Sequence, residues 1–184
     1  MRLHIACGSR IIPGWVNLDL NRPPAGTKPF NALKPWPFDY RSVNAVYSED
    51  FVEHLTQANQ YRFFAEALRV LEDGGVHRIN CPGAIWSLHN WIIRGDPAKD
   101  GLKAINLDIE PYPEGRRKIR HGSHHLLPTP GYLAEILDEI GYSSIHILSR
   151  DESLITGFPG DSRPRDDTIP CRGPNGNIYV EAVK

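Results

Sequence analysis

Gly8 and Asp19 stand eleven residues apart, each at the end of a short apolar run, in the stretch HIACGSRIIPGWVNLDL. A glycine after a strand lets the backbone come close to a ligand, and a carboxylate ending the next strand can accept both hydrogen bonds of a ribose diol. The pattern is short: one glycine stands where a dinucleotide fingerprint has three, and an aspartate in that place serves equally well as a turn cap. A second set of chemistry-bearing residues lies in RKIRHGSHHLLP. Its imidazoles, His124 and His125, titrate near neutral pH and suit proton abstraction from an acceptor. Arg116, Arg117, Lys118 and Arg120 form a local positive run suited to an anionic or sugar-like small molecule, or to nothing more than a solvated loop. His121, His124 and His125, taken with Asp108 or Glu110, match none of the strong zinc spacings, so no metal is expected. Glu53 and His54 are expected to cap and solvate the entrance to a helix, and Cys7 and Cys81 to be small buried residues.

These groups must be held by a domain of modest size. The 184 residues suit one hydrophobic core, with 1–184 read as a single domain. With 21 basic and 22 acidic side chains the formal charge is -1, a balance that calls for neither nucleic acid nor an anionic membrane surface as partner. A small-molecule acceptor is the expected partner, and self-association is left open. Three widely spaced cysteines without a CxxC pair fit a reducing compartment. No apolar run reaches membrane-spanning length and no signal peptide precedes the first strand, so a cytoplasmic protein is expected.

Apolar runs at Leu3–Ala6, Val16–Leu20, around Ala45–Tyr47, and at Val76–Cys81, Ser144–Leu148 and Ile178–Val183 predict strands. Tyr61, Phe64, Leu68 and Leu71 predict a helix that ends at Asp73 and the Gly74-Gly75 pair. Thr129 as cap, Pro130 at the first helical position, a stripe of Leu133, Ile136, Leu137 and Ile140, and Gly141 as stop predict another. The alternation predicts an α/β sandwich with helices on both faces of a mostly parallel sheet. It is interrupted by an irregular insertion at 84–128, with one short helix near Trp86 to Ile93, and by a polar loop at 149–177. The link between the first two strands, about eight residues, is shorter than a parallel crossover needs and on its own favours a hairpin.

In order and spacing, LHIACGSRIIPGWVNLDL, LKPWPFDYRSVNAVYSEDFVEHL and EALRVLEDGGVHRINCP resemble the S-adenosylmethionine-dependent methyltransferases of the seven-stranded, Rossmann-like class I, most of all its compact type 11 branch. LLPTPGYLAEILDEIGY is similar to that family's late helix. The resemblance implies a three-layer, Rossmann-like fold with an antiparallel last strand, and a parallel first pair joined by a shortened crossover. It implies S-adenosyl-L-methionine as cofactor, with Ala6, Cys7 and Gly8 as a backbone platform beside its amino-acid part and Asp19 on the ribose hydroxyls. Leu20 would lie against adenine, Asn31 and Ala32 near the adenine amino group, and Ser48 and Glu49, just past the fourth strand, near the methionyl portion. The expected reaction is direct in-line methyl transfer to an oxygen or nitrogen of a small acceptor, assisted by His124 or His125. A cofactor-binding regulatory protein without catalysis is the alternative.

Overall fold

The computed structural model describes residues 1–20, 25–84, 126–150, 152–161 and 177–184. Strands β1 (Arg2–Ile5), β2 (Val16–Asp19), β3 (Thr27–Pro29), β4 (Val43–Glu49), β5 (Leu71–Pro82), β6 (Ser144–Leu148) and β7 (Asn177–Val183) form one sheet in the order β3-β2-β1-β4-β5-β7-β6. β7 runs antiparallel to β5 and β6, and the remaining pairs are parallel. This is the Rossmann-like α/β sheet with its antiparallel last strand. Of the strands among the described residues, only the short, exposed β3 carries no periodicity that sequence reading could detect.

The first two strands are parallel, with Leu3 opposite Val16 and Ile5 opposite Leu18, which overturns the hairpin preference. The reason is one side chain. Asn17 Oδ1 accepts from the Ile12 amide at 3.0 Å, and Asn17 Nδ2 donates to the Ile12 and Trp15 carbonyls, each at 3.1 Å. Because Oδ1 is thereby an acceptor, His4 approaches it at 3.2 Å as a donor through Nδ1. Gly14, at φ +78, makes the reversal that an L side chain rarely allows. A stapled turn thus replaces the crossover helix, and its Ile12 and Trp15 bury against Ala45 and Tyr47 of β4.

Helices α1 (Gln57–Val70) and α2 (Pro130–Ile140) touch each other and pack on the same face of the sheet. Thr56 caps α1 by accepting from the Asn59 amide. The buried stripe is Gln60, Phe63, Phe64, Ala67 and Val70, so the predicted line through Tyr61 and Leu68 is rotated toward the rim of the core. The helix also ends earlier than predicted, at Val70. Fully buried Leu71 turns extended there, and Lys184 Nζ donates to the Leu68, Arg69 and Leu71 carbonyls. Gly74 and Gly75 instead form an irregularity inside β5, between the pairs Val43–Leu71 and Ala45–Val76. A Cβ on Gly75 would sit 2.8 Å from the Glu72 carbonyl. α2 has the predicted Thr129 cap, Pro130 start and Gly141 stop, the last at φ +105.

Among the described residues the opposite face is covered by irregular chain, Arg10 to Trp15 and Glu152 to Asp161, so the third layer is not helical there. Irregular backbone brings polar groups that need partners, and this face of the sheet supplies them. Fully buried Arg78 donates to the Arg150 and Glu152 carbonyls and pairs with Asp161 at 2.7 Å and Glu181 at 2.8 Å. The Ala84 amide donates to the Pro128 carbonyl, so the predicted insertion leaves and rejoins the fold beyond the carboxyl end of β5. Residues 85–125, including the helix expected near Trp86, lie outside the described residues, as does most of the 149–177 loop after Asp161. Among the described residues no helix is long and apolar enough to cross a membrane.

Candidate functional site

Where β1, β2 and β4 end, Ala6, Asp19, Leu20, Phe30, Asn31, Ala32, Leu33 and Phe51 line a cavity of about 190 Å³. Five of the predicted cofactor residues therefore come together: Ala6, Asp19, Leu20, Asn31 and Ala32. Gly8 joins them through its backbone, since its amide, at φ +54, donates to Asp19 Oδ2 at 2.9 Å. The Asp19 carboxylate is thus set by the glycine loop. Leu20 is largely exposed at the mouth. Asn31 Oδ1 accepts from the Leu33 amide at 2.9 Å, an Asx-type turn that shapes the cavity wall. Behind it, Trp36 is buried with Nε1 donating to the Ala32 carbonyl and its ring edge-on to Phe30.

Cys7 is buried, and burial raises its thiol pKa, which fits packing and not nucleophilic attack. Cys81 is fully buried, with the same direction and cause. Ser48 and Glu49 are the last two residues of β4, not residues beyond it. Successive strand residues face opposite sides, so the two side chains lie on different faces of the sheet. Glu49 lies on the loop-covered side, bridged to Arg10 at 3.2 Å; Ser48 is buried between Ile5 and Ile79 in the strand register.

Among the described residues, two non-glycine residues adopt left-handed backbone at this edge, Ala6 at φ 54 and Asp50 at φ 49, directly after β1 and β4. Such conformations cost about 1–3 kcal/mol each and gather where a ligand needs a shaped backbone. A third, Arg41, precedes β4 at the opposite edge. Glu53, expected to be solvated, is fully buried in the 3-10 turn Val52–His54. Burial, with Glu49 nearby, pushes its carboxyl up to about 8. His54 Nε2 stands 3.7 Å from Glu53 Oε1.

His124 and His125 lie outside the described residues, as do Arg116 to Arg120. The segment's described end is informative. Leu126 donates its amide to the Glu53 carbonyl and, with Thr56, Gln57 and Tyr132, lines an open cavity of about 350 Å³ at the amino ends of α1 and α2. Sequence reading missed Arg10 and Asn80, whose partners lie far along the chain, and Asn17, whose partners are the turn it closes and His4. The one visible signal was Asn17 two residues before Asp19, on the same strand face.

Residues 20–79 match the family described as "Methyltransferase domain". No curated sequence matches the chain. A methyltransferase structure from Archaeoglobus fulgidus is similar at TM-score 0.59 with 16% identity, covering 100% of this chain and 85% of that one. Another from Methanosarcina mazei gives 0.56 and 18% over 99% and 91%, and one from Mesorhizobium loti 0.58 and 15% over 100% and 90%. The fold is that of the S-adenosylmethionine-dependent methyltransferases. At these identities the likeness is one of fold, and the proteins that share it are described as dependent on S-adenosyl-L-methionine. The cavity fits such a group, with apolar walls at Phe30, Leu33 and Phe51 for a flat base and a braced carboxylate at Asp19 for a diol.

Proposed function

We propose that this chain methylates an oxygen or nitrogen of a small, anionic or sugar-like acceptor by direct in-line transfer. The observation that carries the reading is the Gly8–Asp19 bond at the mouth of the cavity, at the carboxyl edge of a class I sheet. S-adenosylmethionine supplies an already activated methyl on a sulfonium, so the protein's work is to align that carbon with a nucleophile and exclude water. Asp19 would accept from the ribose hydroxyls, Leu20 and Phe30 would flank the base, and Ala6 to Gly8 would present backbone to the amino-acid part. Leu126, tied to Glu53, is where the basic, histidine-bearing segment returns to this edge, which supports placing Arg116 to Pro128 beside the acceptor. There His124 or His125 would take the proton that the nucleophile loses.

Calorimetry with S-adenosylhomocysteine should show one-site binding. Methyl-transfer assays over phosphorylated and sugar-like acceptors should then find a substrate. His124→Ala or His125→Ala should lower kcat by about 100-fold or more while donor affinity stays unchanged. Near-normal rates for both variants would place proton removal elsewhere. Donor binding without turnover on a broad panel would favour a regulatory protein.

A further inference from the structure

A line of polar side chains crosses the carboxyl edge of the sheet from the Gly8 loop to β7. Arg10, two residues after Gly8, donates through Nη1 to Tyr47 Oη at 3.0 Å and Glu49 Oε2 at 3.2 Å, and through Nη2 to the Gly160 carbonyl. Glu49 Oε1 accepts from Asn80 Nδ2 at 2.7 Å, and Asn80 Oδ1 accepts from Asn177 Nδ2 at 2.8 Å. Asn80 is directly opposite Glu49 on β5, while Asn177 sits diagonally across on β7, opposite Pro82. Both asparagines are buried.

Buried amides in the middle of a sheet give up apolar packing that β-branched residues would supply, so their persistence needs a reason in the groups they orient. Here the orientation is determined. Asn80 must turn its amine to the Glu49 carboxylate, and Asn177 holds the other end of that amide. Glu49 is gripped at one oxygen by a guanidinium and at the other by an amide, which fixes the plane of its carboxylate beside the loop that meets the donor. A carboxylate held in a fixed plane suits a further cationic donor such as an ammonium. An ammonium could come from the amino-acid end of the methyl donor or from an amine acceptor. The bridge to Arg10 in the Gly8 loop favours the donor.

Building on the methyl-donor reading above, we propose that Asn80 and Asn177, together with Arg10, are positioning residues that set Glu49 to receive the ammonium of the donor's amino-acid end. Asn177 acts only through Asn80. The test is calorimetry with two probes, S-adenosylhomocysteine and 5′-methylthioadenosine, which lacks the amino-acid end. Asn177→Leu should weaken S-adenosylhomocysteine about tenfold, the loss of one well-aligned charge-assisted bond, and leave methylthioadenosine binding unchanged. Glu49→Gln should show the same selectivity, and Asn177→Gln should restore part of the affinity. Retained methylthioadenosine binding also reports that each variant is folded. Equal loss of both probes, or loss of neither, would overturn the positioning role. Unchanged S-adenosylhomocysteine binding with a raised KM for an amine acceptor would move the ammonium to the acceptor and overturn the donor assignment. Wild-type protein that binds neither probe would overturn the methyl-donor reading itself.

Discussion

Replacing Glu53 by glutamine should stabilise the protein at neutral and alkaline pH and do little at pH 4. The carboxyl is fully buried beside Glu49, Cys81 and His54, and burial raises it from an ordinary 4.5 to about 8. A group held neutral in the fold contributes stability that is fully present below 4.5, where both states bind the proton. That stability is lost as pH rises, because the unfolded chain releases a proton that the folded chain still holds. The loss begins above about 4.5 and levels off above about 8. At about 1.4 kcal/mol for each pH unit in that window, the ceiling is about 5 kcal/mol, with about 1 kcal/mol lost by pH 5 and about 3 kcal/mol by pH 7. Glutamine keeps the shape without the proton, so the gain from Glu53→Gln should climb by about 2 kcal/mol between pH 5 and pH 7. Buried His4 and His77, lowered to about 4 and about 3, act in the opposite sense, since their stability is present above 6.5 and lost as pH falls below it. Both proteins share those histidines, so they cancel in the difference. Urea denaturation of the two proteins across pH 5 to 8.5 measures it, and a constant difference would refute the burial argument.

Two further substitutions probe the Gly8 loop. Asp19→Ala removes the acceptor of the Gly8 amide and the proposed diol contact, so calorimetry should show donor-product affinity down about tenfold or more, a loss of about 1.5–3 kcal/mol; unchanged affinity in a folded variant would rule out that contact. Asn17→Ala strips three hydrogen bonds from the Ile12–Trp15 turn and one from His4, and should cost about 2–4 kcal/mol in chemical denaturation. A cost under about 0.5 kcal/mol would show that the short crossover does not depend on this side chain.

Much of the molecule could be read along the chain because it depends on neighbours in sequence. Six of the seven strands among the described residues announce themselves as apolar runs, and α2 carries its own cap, start and stop within Thr129 to Gly141. Gly8 and Asp19 were legible as a pair because both terminate strands. Tertiary structure decided what depends on partners far away in sequence. The parallel pairing of the first strands shows only in the assembled sheet, because the bonds of Asn17 to Ile12 and Trp15, though local, carry no short-range sequence signal of strand direction. α1 ends at Val70 because Leu71 is drawn into the core and Lys184, at the far end of the chain, takes its terminal carbonyls. Glu53 reads as a helix-entry charge and is instead enclosed, since burial is a property of the assembled layers and not of a residue type. The line from Arg10 through Glu49 and Asn80 to Asn177 joins residues up to 167 positions apart. Short-range sequence pattern cannot hold such a line, because only the stacking of strand ends brings those side chains within hydrogen-bond reach.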